Sequence, residues 1–87
     1  MQIMLNNNIP ISFTRVVTIT DSSNIDVIKY DPNTNNMTVS FLTGATYLYN
    51  PVNNVLFGSI VSADSVGAFF AASIRGNKNI SFVEYTE

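Results

Sequence analysis

From Ile11 to Thr20 apolar and polar side chains alternate, with Ile11, Phe13, Val17 and Ile19 on one parity and Ser12, Thr14, Thr18 and Thr20 on the other. Period two predicts a strand with one buried face. Asp21-Ser22-Ser23-Asn24 then gathers four residues that hydrogen-bond their own backbone, which predicts a turn. A second strand follows over Ile25–Tyr30. Asp31-Pro32-Asn33-Thr34-Asn35-Asn36 is a second turn, with proline preset for the turn's second position and asparagine tolerant of left-handed backbone. Met37–Leu42 and Ala45–Tyr49 give a third and a fourth strand, and Ile80–Tyr85 a short last one.

The hairpin between the third and fourth strands sets which side chains share a face, because a slip of one residue inverts them all. A two-residue loop would hold Thr43 at positive φ, which is costly for a β-branched residue. A three-residue loop, Leu42-Thr43-Gly44, needs only Gly44 left-handed. It puts Tyr47 across from Val39 and Tyr49 across from Met37, on the face that carries Phe41 and Ala45. Thr38, Ser40, Thr46 and Leu48 then point the other way.

Asn50-Pro51 has the form of an N-cap followed by proline at the first helical position. Val52, Val55, Leu56, Ser59 and Ile60 recur at helical spacing after it. Asp64 or Ser65 caps a second helix with the stripe Val66, Phe69, Phe70 and Ile74, and Gly76 sits where a left-handed C-terminal residue is expected. Gly67 inside that helix costs about 1 kcal/mol relative to alanine, which predicts a close approach of another backbone or a ligand there. Phe69 and Phe70 lie about 100° apart around the helix, so one packs on the sheet and the other is left for a neighbouring chain. The pattern as a whole predicts an α+β fold, a small antiparallel sheet of four to five strands packed against two short helices. Residues 1–87 form one domain, with no linker, repeat or charge run to divide it.

Composition narrows the chemistry. Only 11% of the 87 residues are charged, the net charge is −2, and there is no Cys, His or Trp. Ordinary globular chains carry roughly a quarter charged residues. Disulfides, thiolate nucleophiles, imidazole bases and the usual zinc and haem ligands are therefore excluded. Asp21 and Asp26 have nothing to fix them in a cleft as an acid/base pair, so a non-enzymatic protein without cofactor is expected. Asp31-x-Asn33-x-Asn35 has the start of a calcium loop. Asn36 stands in place of its glycine, however, and Leu42 in place of its bidentate glutamate, so no metal is expected. Met1–Pro10 lacks Lys and Arg and is interrupted by Asn6, Asn7 and Asn8. It reads as neither signal peptide nor anchor, and no apolar run approaches the ~20 residues that span a bilayer. The expected location is cytoplasmic, without membrane contact. With 46% hydrophobic residues on both helices and all strands, self-association as a homo-oligomer is expected.

Ser22-Ser23-x-Ile25, Tyr30-Asp31-Pro32, Met37-x-Val39-x-Phe41, Gly44, Tyr47-x-Tyr49, Ser65-x-Gly67-x-Phe69-Phe70 and Ile74-Arg75-Gly76 together resemble the KTSC domain family. The resemblance covers about residues 21–76 and leaves the N-terminal strand 11–20 outside it. Ala71 stands where the family often has Asn after the Phe-Phe pair, and Lys29 where it often has Gly before the first Tyr. The resemblance implies a small α+β domain, found free-standing and at the C-terminus of some lysyl-tRNA synthetases, with a suggested RNA-binding role.

The candidate ligand-binding residues are Tyr30, Tyr47, Tyr49, Arg75, Ser23 and Ser65. Aromatic side chains presented by a sheet can stack bases; the other reading of the three tyrosines is a core position with a polar tip. Arg75 falls in a family motif, and it can equally complement the helix C-terminus. Ser22, Ser23 and Ser65 read first as turn and cap residues. Four cations cannot neutralise many phosphates, so long DNA is excluded as a partner, and a nucleotide or short RNA segment fits the charge better. The alternative is a small homo-oligomeric, phage-encoded protein that sequesters a host nucleotide signal or blocks a host protein.

Overall fold

A computed structural model describes residues 12–20 and 22–86. Ile11 of the expected first strand, Asp21 of the expected turn and the segment 1–10 lie outside the described residues. The alternating segments form five strands: β1 (Arg15–Thr18), β2 (Ile25–Asp31), β3 (Asn36–Phe41), β4 (Thr46–Asn50) and β5 (Ser81–Glu84). They pair antiparallel in chain order, and helices α1 (Asn54–Val61) and α2 (Val66–Ser73) lie between β4 and β5. The fold is α+β, as the pattern predicts. Among the described residues no helix is long and apolar enough to cross a membrane.

The β3–β4 hairpin has the three-residue loop. Phe41 N–H donates to Ala45 O at 2.8 Å, Gly44 N–H donates to Phe41 O at 2.9 Å, and Gly44 alone within the loop has a positive φ, +97°. Tyr47 pairs with Val39 and Tyr49 with Met37. Register continues through β2, where Ile28 faces Val39 and Tyr30 faces Met37. One face of the sheet thus carries Ile28, Tyr30, Met37, Val39 and Tyr49, all buried. Removing such aliphatic and aromatic side chains from water contributes about 1.5–3 kcal/mol each.

The helices cover that face through their aromatic residues. Phe57 of α1 stacks on Tyr30, with ring centroids 4.5 Å apart and planes at 8°. Phe70 of α2 meets Tyr49 edge-on at 5.3 Å and Phe41 at 5.9 Å. Phe70 is therefore the member of the pair that packs on the sheet, and Phe69 is left exposed. Ser65 is the cap of α2, its hydroxyl accepting from Ala68 N–H at 3.3 Å.

Helix α1 starts later than its sequence suggests. Asn50 ends β4, the Asn50–Pro51 peptide is cis, and the N-cap is Asn53, whose Oδ1 accepts from Leu56 N–H at 2.8 Å. The Asn50 side chain is committed elsewhere: its Nδ2 donates to Thr34 O, Asn35 O and Asn36 Oδ1 at 3.0–3.3 Å, holding the β2–β3 turn. Val52 joins the same staple through its N–H to Asn35 O. The inward residues of α1 are accordingly Phe57 and Ile60, while Val55, expected in the stripe, is 79% exposed.

Strand β1 is shorter than the alternation predicts. Val17 and Ile19 keep their inward parity, but the chain ahead of Arg15 leaves the ladder. Ser12 N–H donates to Asp31 Oδ2 at 2.8 Å, and the Phe13 ring lies 5.9 Å from that of Tyr85, just past β5. Edges of a five-stranded sheet are roughly 19 Å apart at the usual strand spacing, so Phe13 reaches over the sheet. Thr38, in the middle of the face away from the helices, is buried.

Candidate functional site

The open end of the aromatic face is a cleft of about 500 Å³ between β4, β5 and the α2–β5 connector. Its floor is Phe41, Tyr47, Tyr49 and Phe82. Strand pairing brings them together: Tyr49 lies opposite Phe82 across β4–β5, and Tyr47 lies on the same face. Phe82 stands 6.1 Å from the Tyr47 ring at 72° and 6.0 Å from the Tyr49 ring at 32°. Ile74 and Ile80 close the apolar wall.

The rim comes from the connector, residues 74–80, which makes its own hydrogen bonds. Ile74 and Arg75 N–H groups both donate to Phe70 O, at 2.9 and 3.3 Å. Gly76 turns the chain at φ +81°, a conformation side-chain-bearing residues rarely adopt. Asn77 Nδ2 donates to Ser73 O at 3.0 Å, and Asn77 Oδ1 accepts from Asn79 N–H at 2.9 Å. This built turn delivers Arg75 and Lys78 to the cleft. They are two of the four cations in the chain, and among the described residues no Asp or Glu lines the cavity.

Burial pushes the Tyr49 hydroxyl above its ordinary pKa; the Arg75 guanidinium pulls it down and Tyr47 adds a smaller upward push. Tyr49 is thus a neutral O–H at physiological pH. The cleft presents π faces, hydroxyl groups and two cations, an arrangement that stacks planar groups and attracts anions.

A second cavity of about 330 Å³ adjoins the first, lined by Ser23, Asn24 and the hairpin tip, and sharing Phe41, Tyr47 and Arg75 with it. The structure therefore gathers Tyr47, Tyr49, Arg75 and Ser23 of the expected residues in one region. Tyr30 is not among them. It is 0% exposed, its single hydroxyl proton is donated to Val52 O at 2.6 Å and shared with Asn35 Oδ1 at 3.2 Å, and it is a core residue with a satisfied tip. Ser65 is committed to its cap and lines neither cavity. At Gly67 the close neighbour among the described residues is a side chain: a Cβ there would lie 3.2 Å from Ser22 Oγ, which itself accepts from Asn24 and Ile25 N–H.

Phe82 and Ile80 are cleft residues that the sequence does not single out. The alternation over 80–85 was their only signal, and it becomes a site only through pairing with β4. Among the described residues, no three His, Cys, Asp or Glu side chains come together as metal ligands.

Comparison with known proteins places these features in a wider set. Residues 21–77 match the KTSC domain. A protein from Tsukamurella paurometabola is 39% identical over 55 residues, spanning 63% of this chain and 82% of that protein. The crystal structure of a KTSC domain protein from Yersinia pestis is similar with a TM-score of 0.75 and 28% identity, covering 83% of this chain and 97% of that one. The matched residues run through both helices to Asn77. Lys78, Ile80 and Phe82 of the cleft lie beyond them.

Proposed function

This chain belongs to the KTSC domain family, and from that premise we propose that it is a non-enzymatic binding module for a nucleotide, free or within a short RNA segment. One observation carries the reading: half of the chain's cations, Arg75 and Lys78, border an aromatic cleft of about 500 Å³ that no acid among the described residues lines. Tyr47, Tyr49 and Phe82 supply stacking surface for a base, and Arg75 supplies a planar fork for a phosphate. RNA enters the proposal through the resemblance to a domain carried by some lysyl-tRNA synthetases. The module works in the cytoplasm on this reading, where both ligand classes are abundant.

Calorimetric titration with the four ribonucleoside monophosphates and a short unpaired RNA tests the proposal. Base stacking and a charge-assisted phosphate contact are each worth about 1–3 kcal/mol. Tyr47→Ala and Arg75→Ala are therefore each expected to weaken binding about five- to 150-fold. Affinity for none of these ligands, or affinity untouched by both substitutions, overturns it.

A homo-oligomer is supported by a different observation. Phe82 and Val83 point to opposite faces of the outermost strand β5 and are 64% and 57% exposed. Pairing of β5 with a second copy would cover both. Sedimentation velocity at high protein concentration decides it, since a strictly monomeric boundary removes this reading.

A further inference from the structure

Two cavities meet at one guanidinium. Arg75 borders both the larger cleft and the smaller one, and the partition between them is Phe41 and Tyr47, whose rings stand edge to face at 6.2 Å and 70°. Each cavity is of a size that holds a small planar group. Beyond the shared residues the two differ. The larger is aromatic, with Tyr49 and Phe82, whereas the smaller has an apolar wall of Leu42 and Ala45 and a polar rim of Ser23, Asn24 and Thr43. Among the described residues, neither has an acidic lining residue.

The smaller cavity is held open by hydrogen bonds that exist without a ligand. Ser22 Oγ accepts from Asn24 N–H at 3.1 Å and from Ile25 N–H at 3.0 Å, which fixes the β1–β2 turn. Leu42 N–H donates to Asn24 O at 2.8 Å, tying that turn to the hairpin tip on the opposite wall. Ser23, Asn24 and Thr43 are exposed there and present hydroxyl and amide groups to whatever enters. Preformed walls lower the ordering cost of binding.

From this juxtaposition we infer that the ligand is a dinucleotide unit, two nucleosides joined by one phosphodiester. One base lies on Tyr47, Tyr49 and Phe82, the other lies beyond Tyr47 against Leu42 and Ala45, and the bridging phosphate sits on Arg75. A phosphodiester offers two non-bridging oxygens to the guanidinium fork, which suits a single arginine placed between two base sites. The inference rests on the nucleotide reading above and specifies the size of the ligand.

Titration of AMP and of the dinucleotide ApA into the parent protein, Leu42→Ala and Ala45→Phe separates the two claims. Leu42 is 58% exposed, so its truncation spares the core, while Ala45→Phe fills the smaller cavity. ApA is expected to bind the parent about tenfold more tightly than AMP. Both variants are expected to bring ApA down to the AMP level while AMP itself changes by less than about twofold. AMP binding with ApA no tighter, or both ligands weakened alike by the variants, overturns the dinucleotide inference and leaves nucleotide binding standing; no binding of either overturns both. Adding a five-residue oligoadenylate identifies the source: affinity at least equal to ApA marks a step within a strand, and much weaker affinity marks a free dinucleotide.

Discussion

Asp31 shows how one residue can organise a turn written in its own neighbours and also hold a distant segment. Fully buried, it accepts from Asn33 N–H at 2.9 Å through Oδ1, and from Thr34 Oγ1 at 2.7 Å and Ser12 N–H at 2.8 Å through Oδ2. Burial alone would push its carboxyl up, but these donors together hold it below its ordinary value of 3.8. A depressed folded-state pKa adds stability that is present above the ordinary value and lost as pH falls through the folded one. Asp31→Asn, which puts an N–H₂ among donors, is expected to cost about 2–3 kcal/mol at pH 7. That gap should narrow on acidification below about pH 4; urea unfolding of parent and variant at pH 7 and pH 3 measures it, and an unchanged gap refutes the assignment. The turn at Asp31 was legible because proline and asparagine write turns locally. Tyr30 was not, since the atoms that satisfy its hydroxyl, Val52 O and Asn35 Oδ1, come from other segments. An aromatic at a strand end looks the same in sequence whether its tip meets a ligand or a buried carbonyl.

Local rules worked for the elements where local groups settle the geometry. Alternation with the φ requirement at Gly44 gave the β3–β4 register, and that register placed Tyr47 and Tyr49 on the cleft face. They failed where a distant partner competes. Asn50 resembles an N-cap, yet its amide serves the turn at Thr34–Asn36, and the helix starts after Asn53 instead. Gly67 of α2 is an intermediate case: its helical cost was legible, but the side chain behind it was not. An alanine there gains about 1 kcal/mol of helix propensity, while its Cβ would stand 3.2 Å from Ser22 Oγ, a group anchored by two backbone donors. The two effects are expected to offset, leaving Gly67→Ala within about 0.5 kcal/mol of the parent. In a Ser22→Ala background the clash is gone, and the same substitution should stabilise by about 0.5–1 kcal/mol. A double-mutant cycle read by thermal unfolding checks this; equal effects in both backgrounds would show that Ser22 does not constrain the helix.

At the scale of the whole molecule, the scarcity of charge matters less than its placement. A chain of net charge −2 with four cations can neutralise few phosphates. The fold nevertheless brings Arg75 and Lys78 to one cavity, because a turn built on Gly76 and Asn77 carries both past the end of α2. Sequence shows Arg75 and Lys78 only three residues apart; what it does not show is that their turn faces an aromatic cavity, a placement set by the fold. That placement makes the salt dependence of binding a quantitative consequence of the structure. Two phosphate contacts on a single strand give a slope of log affinity against log salt of about −1.4, and Arg75→Ala should reduce it to about −0.7. Affinity for a short unpaired RNA across a series of salt concentrations measures both slopes. A much steeper parent slope would mean that the strand runs on past this cleft to Arg15 or Lys29. A slope near zero would mean that stacking holds the ligand without the phosphates, and that the two cations at the rim are there for some other reason.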